Sequence, residues 1–346
     1  MTVERTLDAA RLERYLSVAQ PSIGALSSVR QLDGGQSNPT YLIDASSGQY
    51  VLRRKPPGAL LPSAHAVDRE FRVIRALRNT AVPVPEALCF CDDESIIGTV
   101  FYVMEFVPGE IYSDPDLPQM TREQRAKIYD ELNRVIAALH ALDPAAVGLA
   151  DFGKAGNYAE RQIARWTKQY RATETEKIDA MERLIGWLPA HIPADEEQQT
   201  RIIHGDYRIG NVIFDPDALT IRAVLDWELS TLGNPLADLA YHCMPFRLPH
   251  TVPSCAGGGG ISQQGIPTEA EYIRRYCERM GRGPIHSFDF YSAFSMFRLA
   301  AILQGVKARS LQGNASSRDA AEAGNRARPM AEAGWAQVEH LSQARH

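Results

Sequence analysis

The hydrophobic pattern of this chain changes period part-way along, and no other feature constrains its fold as strongly. From Gln31 to Phe106 the pattern is mostly strand-like: Thr40-Tyr41-Leu42-Ile43 and Tyr50-Val51-Leu52 flank the turn residues Ser46-Ser47-Gly48, as in a hairpin. One helix interrupts these strands, because between Ala64 and Arg78 the apolar positions Val67, Phe71, Ile74 and Leu77 recur at helical spacing, with Glu70 on the same stripe. Pro83 and Pro85 punctuate the chain ahead of the run Thr99 to Met104, a buried-strand signal that ends at Val107-Pro108-Gly109. Beyond that point helices dominate. Thr121 with Gln124 three residues on makes a capping-box start, and Ile128, Leu132, Val135, Ile136 and Leu139 form one apolar face. Short strands are expected at Asn211 to Phe214 and Ala223 to Leu225. Asn234-Pro235 then opens another helix, with asparagine as N-cap and proline at the first helical position. The glycine run Gly257 to Gly260 is too permissive for a regular element and reads as a mobile surface loop.

A length of 346 residues exceeds the usual single-domain size, so two lobes with a cleft are expected. The period change puts the boundary after Phe106. The prediction is an α+β molecule with a β-rich N-terminal lobe over residues 1–106 and a mostly helical C-terminal lobe over 107–346. Hydrophobic residues at 45% and charged residues at 23% place the chain in the globular range. The formal charge of -5 gives no basic excess to track a phosphate backbone, which argues against a nucleic-acid partner. Five scattered cysteines fit reduced thiols of a cytoplasmic protein better than a disulfide framework, and Cys89-Phe90-Cys91 lacks the second pair that a metal site needs. The first twenty residues show no signal-peptide pattern, and no apolar run of about 18 residues is present to span a membrane.

Reactive side chains are densest in His204-Gly205-Asp206-Tyr207-Arg208-Ile209-Gly210-Asn211 and in Leu225-Asp226-Trp227-Glu228. Asn211 follows Asp206 by five residues, the interval of the kinase catalytic loop H-R-D-x-x-x-x-N, in which the aspartate accepts the substrate hydroxyl proton and the asparagine binds a metal. Asp226 follows Asn211 by fifteen residues, a gap that holds one hairpin with Asp215-Pro216-Asp217 at its turn and would return Asp226 towards Asn211. Phosphoryl transfer asks little covalent help from a protein but must neutralise phosphate charge, so hard oxygen ligands for Mg²⁺ are its main requirement. Asp226 and Asn211 supply such oxygens, whereas Asp215 and Asp217 read as turn residues capping their own backbone.

These motifs, followed in order by Gly233-Asn234-Pro235-Leu236-Ala237-Asp238-Leu239-Ala240, resemble the aminoglycoside phosphotransferase/choline kinase superfamily from about Leu32 to about Gly313. Within it, VLRRKPPG, LLPSAHAVDREFRVIRAL and FRLAAILQGV look closest to the kinase-like domains that precede an acyl-CoA dehydrogenase domain in some larger proteins. The resemblance implies a two-lobed protein-kinase-like fold, an ATP-dependent phosphotransferase acting on a small-molecule alcohol, and ATP with Mg²⁺ as cofactors. It implies Asp206 as catalytic base and Asn211 and Asp226 as metal ligands. It implies a phosphate loop at Gly34-Gly35-Gln36-Ser37-Asn38, although a glycine pair between strands is by itself more often a plain turn. The third-strand lysine of kinases is replaced: the matching position is Arg53, with Lys55 two residues on and on the same strand face. Glu70 is the implied partner of that cation. Glu105 and Val107 lie in the segment resembling the interlobe hinge, where backbone groups would bind adenine. Asp238 and His204 resemble residues that brace the catalytic loop.

Two rival readings remain in view. His204, Asp206, Asp238 and His242 could be ligands of a metal-dependent phosphohydrolase, since Asp238 and His242 lie four apart on one helical face. Replacement of the usual lysine by Arg53 motivates a catalytically weak nucleotide-binding pseudokinase module. For the acceptor, seven basic residues (Arg274, Arg275, Arg279, Arg282, Arg298, Lys307, Arg309) against three acidic ones between Glu271 and Arg309 suggest an anionic substrate, unless they form a solvated helix face. Together with the resemblance, this suggests a hydroxyacyl-CoA.

Overall fold

Alternating burial along the N-terminal strands assembles the first of two units. The computed structural model describes residues 7–32, 38–56, 66–194, 200–248, 264–312 and 320–343. The first unit comprises Met1–Gly109 with Arg222–Glu228, and the second Glu110–Ile221 with Leu229–His346. The first opens with α1 (Ala9–Ala19), whose N-cap Asp8 accepts from the Arg11 N–H at 3.0 Å. Then come β1 (Leu26–Gln31), β2 (Thr40–Ala45), β3 (Gly48–Arg54), α2 (Val67–Leu77), β4 (Ala87–Cys91) and β5 (Phe101–Glu105). The five strands form one antiparallel sheet in the order β1-β2-β3-β5-β4.

Because side chains on a strand alternate, the sheet has two distinct faces. Tyr41, Ile43, Leu52, Phe101 and Val103 share one of them with Leu12 and Leu16 of α1, forming a buried cluster that also takes in Cys89 and Cys91. On the other face Phe71 of α2 meets Phe90 and Tyr102 with ring centres 5.6 and 6.0 Å apart. Arg53 is paired in register with Tyr102 and therefore belongs to the α2 face. The helix pattern accounts for this docking: Val67, Glu70, Val73, Ile74 and Leu77 are all buried.

The second unit is mostly helical. It contains α3 (Arg122–Ala141), α4 (Tyr158–Ala172), α5 (Asp179–Trp187), α6 (Pro235–His242), α7 (Met244–Arg247), α8 (Glu269–Met280), α9 (Phe288–Leu311), α10 (Ala320–Asn325) and α11 (Ala327–Gln343). The expected capping box forms at α3: the Thr121 hydroxyl accepts from the Gln124 N–H, and the Gln124 side chain accepts from the Thr121 N–H. Its five predicted core residues are buried. A second box, Thr268 with Glu271, starts α8. Asn234 caps α6 by accepting from the Leu236 N–H at 2.8 Å, with Pro235 at the first position. Helix α9 is buried on nearly all sides and packs against α4, α6, α10 and α11, as a helix without a polar face must.

Two short β pairs complete the chain. β6 (Arg201–Ile203) is antiparallel to β9 (Thr231–Gly233), and β7 (Val212–Phe214) is paired with β8 (Ile221–Val224). Asn211 closes a 3-10 turn rather than beginning β7, and β8 ends at Val224, so both strands are shifted by one or two residues from the expected spans. The expected glycine loop at 257–260 lies outside the described residues, as does Cys255; the other four cysteines are buried and free. Among the described residues no helix is long and apolar enough to cross a membrane.

Candidate active site

One buried carboxylate holds the loop backbone that leads into Asp206. Asp238, in the first turn of α6, accepts from the His204 N–H at 2.7 Å and the Gly205 N–H at 2.8 Å, and its Oδ2 also lies 3.2 Å from His140 Nε2. Burial pushes the Asp238 carboxyl up, but the His140 hydrogen bond, the neighbouring histidines and the loop amide outweigh it and hold it below its ordinary value. Gly205 has φ +84, and a Cβ there would stand 2.7 Å from the Leu229 carbonyl oxygen, so only glycine fits. His204 is fully buried and its Nδ1 accepts from the Asp206 N–H at 3.2 Å, a bracing contact within the loop.

Asp206 thus emerges from a backbone held on both flanks. Asn211 Nδ2 donates to the Asp206 carbonyl at 2.9 Å and to its carboxylate Oδ2 at 2.8 Å; Arg208 Nε donates to the same oxygen at 3.3 Å. The side chain of Asp206 stays 17% exposed. With Nδ2 turned to Asp206, the Asn211 amide oxygen takes no hydrogen bond from the described residues. In the turn that follows β7, Asp215 Oδ1 accepts from the Asp217 and Ala218 N–H groups, so Asp215 is the self-capping turn residue its setting suggests.

Within the first unit a second charged cluster forms. Arg53 Nη1 lies 2.9 Å from Glu70 Oε1, and Nη2 lies 3.2 Å from Asp226 Oδ1. Tyr102 donates its hydroxyl to Glu70 Oε2 at 3.2 Å. Burial pushes the Glu70 carboxyl up to about 7 against the pull of Arg53, with the negative charges of Asp226 and Glu228 adding to the rise. Burial opposes the Arg53 charge, but Glu70, Tyr102 and Asp226 more than offset it and its pKa is raised. Asp226 has φ +64, a left-handed conformation that aspartate tolerates better than most residues. Lys55, the alternative cation, makes backbone contacts: its N–H donates to Val100 and its carbonyl accepts from the Thr99 hydroxyl.

Glu105 ends β5 and accepts from the Glu86 N–H at 3.2 Å, while the Val107 backbone makes no hydrogen bond among the described residues. Asn38 is fully buried; Gly35, Gln36 and Ser37 lie outside the described residues.

Most of the basic residues between Glu271 and Arg309 already have partners. Arg275 and Arg279 pair with Asp130 of α3, Lys307 pairs with Glu176, Arg274 pairs with Glu278, and Arg298 binds a backbone carbonyl. Asp130 of α3 and Glu176 of the loop between α4 and α5 lie outside the segment and neutralise three of these cations. Two of the four ligands of the metal-phosphohydrolase reading are already engaged. Both Asp238 oxygens are engaged by the loop, and His242 Nε2 lies 2.7 Å from the Tyr272 hydroxyl. No group of three potential metal-binding side chains occurs among the described residues.

Three contributors carry no role in the sequence pattern, and a fourth, Arg298, figures there only among the basic residues of its segment. His140 is hidden on the apolar face of α3, Tyr102 inside a strand read only as core, Arg298 inside the apolar run of α9, and Arg208 as an unremarked loop position. A polar residue in phase with an apolar stripe is the signal that finds the first three.

Comparison with known proteins places the chain in a family. The model of the Phosphotransferase enzyme family (APH) matches residues 28–277. Acyl-CoA dehydrogenase family member 10 of Mus musculus is 52% identical over 328 residues, covering 94% of this chain and 30% of that protein. The chain spans less than half the length of the curated relatives it matches. A crystal structure from Ralstonia eutropha, provisionally named an aminoglycoside phosphotransferase, is 48% identical with a TM-score of 0.86, covering 97% of this chain and 99% of that one. Aminoglycoside phosphotransferase APH(4)-Ia, solved as a thermostable mutant in ternary complex with ADP and hygromycin B, shares the fold at 17% identity and a TM-score of 0.60, covering 93% and 98%. With the family model matching well over half of its length across both the β-rich and the helical parts, the chain belongs to the aminoglycoside phosphotransferase family and has its protein-kinase-like fold.

Proposed function

We propose that this chain transfers the γ-phosphate of ATP to a hydroxyl group of a small molecule. The observation that carries the reading is the Asp206 carboxylate, partly exposed, bonded by Asn211 and set on a loop clamped by Asp238. In this reading Asp206 accepts the proton of the acceptor hydroxyl as its oxygen bonds to the γ-phosphorus and the bond to ADP breaks. Gly35, Gln36, Ser37 and Asn38 would cover the phosphates, Arg53 held by Glu70 would contact the α- and β-phosphates, and the backbone at Glu105 and Val107 would take the adenine. The residues fit magnesium in their chemistry: the Asn211 amide oxygen is unengaged and the Asp226 carboxylate is 35% exposed, each a hard oxygen of the type that ion takes. Bound there, magnesium would neutralise charge on the β- and γ-phosphate oxygens. The two charged clusters support the reading separately, one by its base and one by its phosphate cation.

For the acceptor we propose a hydroxyacyl-CoA. Support comes from the relatives named as acyl-CoA dehydrogenase family members rather than from the basic segment, whose cations are largely paired. A screen of ATP consumption against alcohols, including hydroxyacyl-CoA esters and kanamycin-type aminoglycosides, tests both levels. Turnover with CoA esters is the expected result. Efficient turnover of kanamycin with inert CoA esters would reject the acceptor, and no turnover above background with any alcohol would favour the pseudokinase reading.

A further inference from the structure

A second grip on the catalytic loop comes from the middle of α9. Arg298 is 6% exposed, yet no carboxylate among the described residues pairs with it. Its Nη2 donates to the Gly205 carbonyl at 2.7 Å, its guanidinium carbon lies 5.3 Å from the Tyr241 ring centre and 5.8 Å from that of Trp166, and its buried Nε has no partner. Burying a guanidinium without a carboxylate is costly, and a neutral donor could satisfy one carbonyl equally well. The ring faces of Trp166 and Tyr241 offset part of that cost and fix the plane of the guanidinium. What the arrangement supplies is a rigid donor aimed at one peptide, the one joining Gly205 to Asp206.

We propose that Arg298 is a positioning residue for Asp206. Asp238 holds the amide side of Gly205 and Arg298 holds its carbonyl side. The Gly205–Asp206 peptide plane therefore cannot rotate, and the Cα–Cβ direction of Asp206 is set from behind. Gly205 has no side chain to restrict its own backbone, so external clamps are needed where φ is +84. This inference rests on Asp206 acting as base, and it adds a determinant that does not touch the substrate.

The test uses the full 346-residue chain with Arg298→Met and Arg298→Lys, followed by hydrogen exchange of segment 203–211 and by hydrolysis of Mg·ATP with water as acceptor. Methionine fills similar volume without charge, so the melting temperature should hold or rise. Exchange in the loop should nonetheless accelerate about tenfold or more. The hydrolytic kcat should fall about 100-fold, with KM for ATP within about twofold of wild type. Arg298→Lys, which keeps a charged donor, should recover part of both effects. Unchanged loop exchange and kcat in Arg298→Met would overturn the proposal, as would a fall in stability and kcat together that lysine does not rescue. Asp206→Asn separates the two readings. If it leaves hydrolysis intact while Arg298→Met still loosens the loop, the base assignment fails and the clamp stands. If it abolishes hydrolysis while Arg298→Met changes nothing, the clamp alone fails.

Discussion

Asp206 receives two hydrogen bonds on one carboxylate oxygen, from Asn211 Nδ2 and Arg208 Nε, which leaves its other oxygen free of both. That asymmetry suits a base, because one oxygen anchors the group while the other can take a proton. Asp206→Asn keeps the shape and an acceptor for Asn211 but cannot take the proton, so kcat should fall by about 10²- to 10⁴-fold at nearly unchanged ATP affinity. Steady-state kinetics with an accepted alcohol checks this, and near-wild-type kcat would remove Asp206 from the mechanism. At this scale the chain was readable wherever a partner lies nearby in sequence. The five-residue step from Asp206 to Asn211 is local, and the inward phase of Glu70 on its helix correctly indicated a pair with Arg53. Arg298 was not readable as a loop clamp, because its acceptor is a backbone carbonyl 93 residues away and no side-chain pattern encodes it.

Among the elements, α6 carries two buried titratable groups. Asp238 and His242 stand one turn apart; the first holds the catalytic loop and the second bonds the Tyr272 hydroxyl of α8. Burial lowers the His242 pKa from 6.5 to about 4, against weaker opposing contributions from the Tyr207 backbone and Asp238. A histidine neutral in the fold and charged in the unfolded chain contributes stability that is full above pH 6.5 and is lost as pH falls through 4. That gap amounts to about 3 kcal/mol. His242→Gln, which can still bond Tyr272 and does not titrate, should flatten the loss between those two pH values in denaturant titrations. An unaltered slope would mean that His242 does not carry the acid sensitivity. Element identity was legible because capping boxes and apolar stripes are local signals, as at Thr121 and Gln124. Exact strand limits were not: whether Asn211 belongs to β7 depends on pairing with β8, a contact that periodicity does not contain. The same limit hides the neutralisation of the α8–α9 segment, since Asp130 and Glu176 reach it from positions more than a hundred residues away.

For the molecule as a whole, burial is distributed so that each unit has its own core: α1 with one sheet face in the first, and α9 surrounded by helices in the second. Large exposed hydrophobic residues among those described are few and scattered, namely Val18, Ile111, Leu229 and Leu311, so the described surface presents no broad apolar patch in need of a cover. The chain on its own should bind nucleotide without added protein. Ligand that binds only the folded state stabilises it by RT ln(1 + [L]/Kd), about 2.7 kcal/mol at a hundredfold excess over Kd. For a protein of this size that is a rise of several degrees in melting temperature. Mg·ATP should produce the rise, and EDTA should reduce it. Asp226→Ala should remove the metal-dependent part, because Asp226 is the carboxylate proposed to hold magnesium, while the Arg53–Glu70 ion pair remains to keep the sheet and α2 together. Differential scanning calorimetry with and without magnesium decides the matter. A metal-dependent shift that survives intact in Asp226→Ala would move the ligand role elsewhere, with Glu228, two residues on, the first alternative to examine.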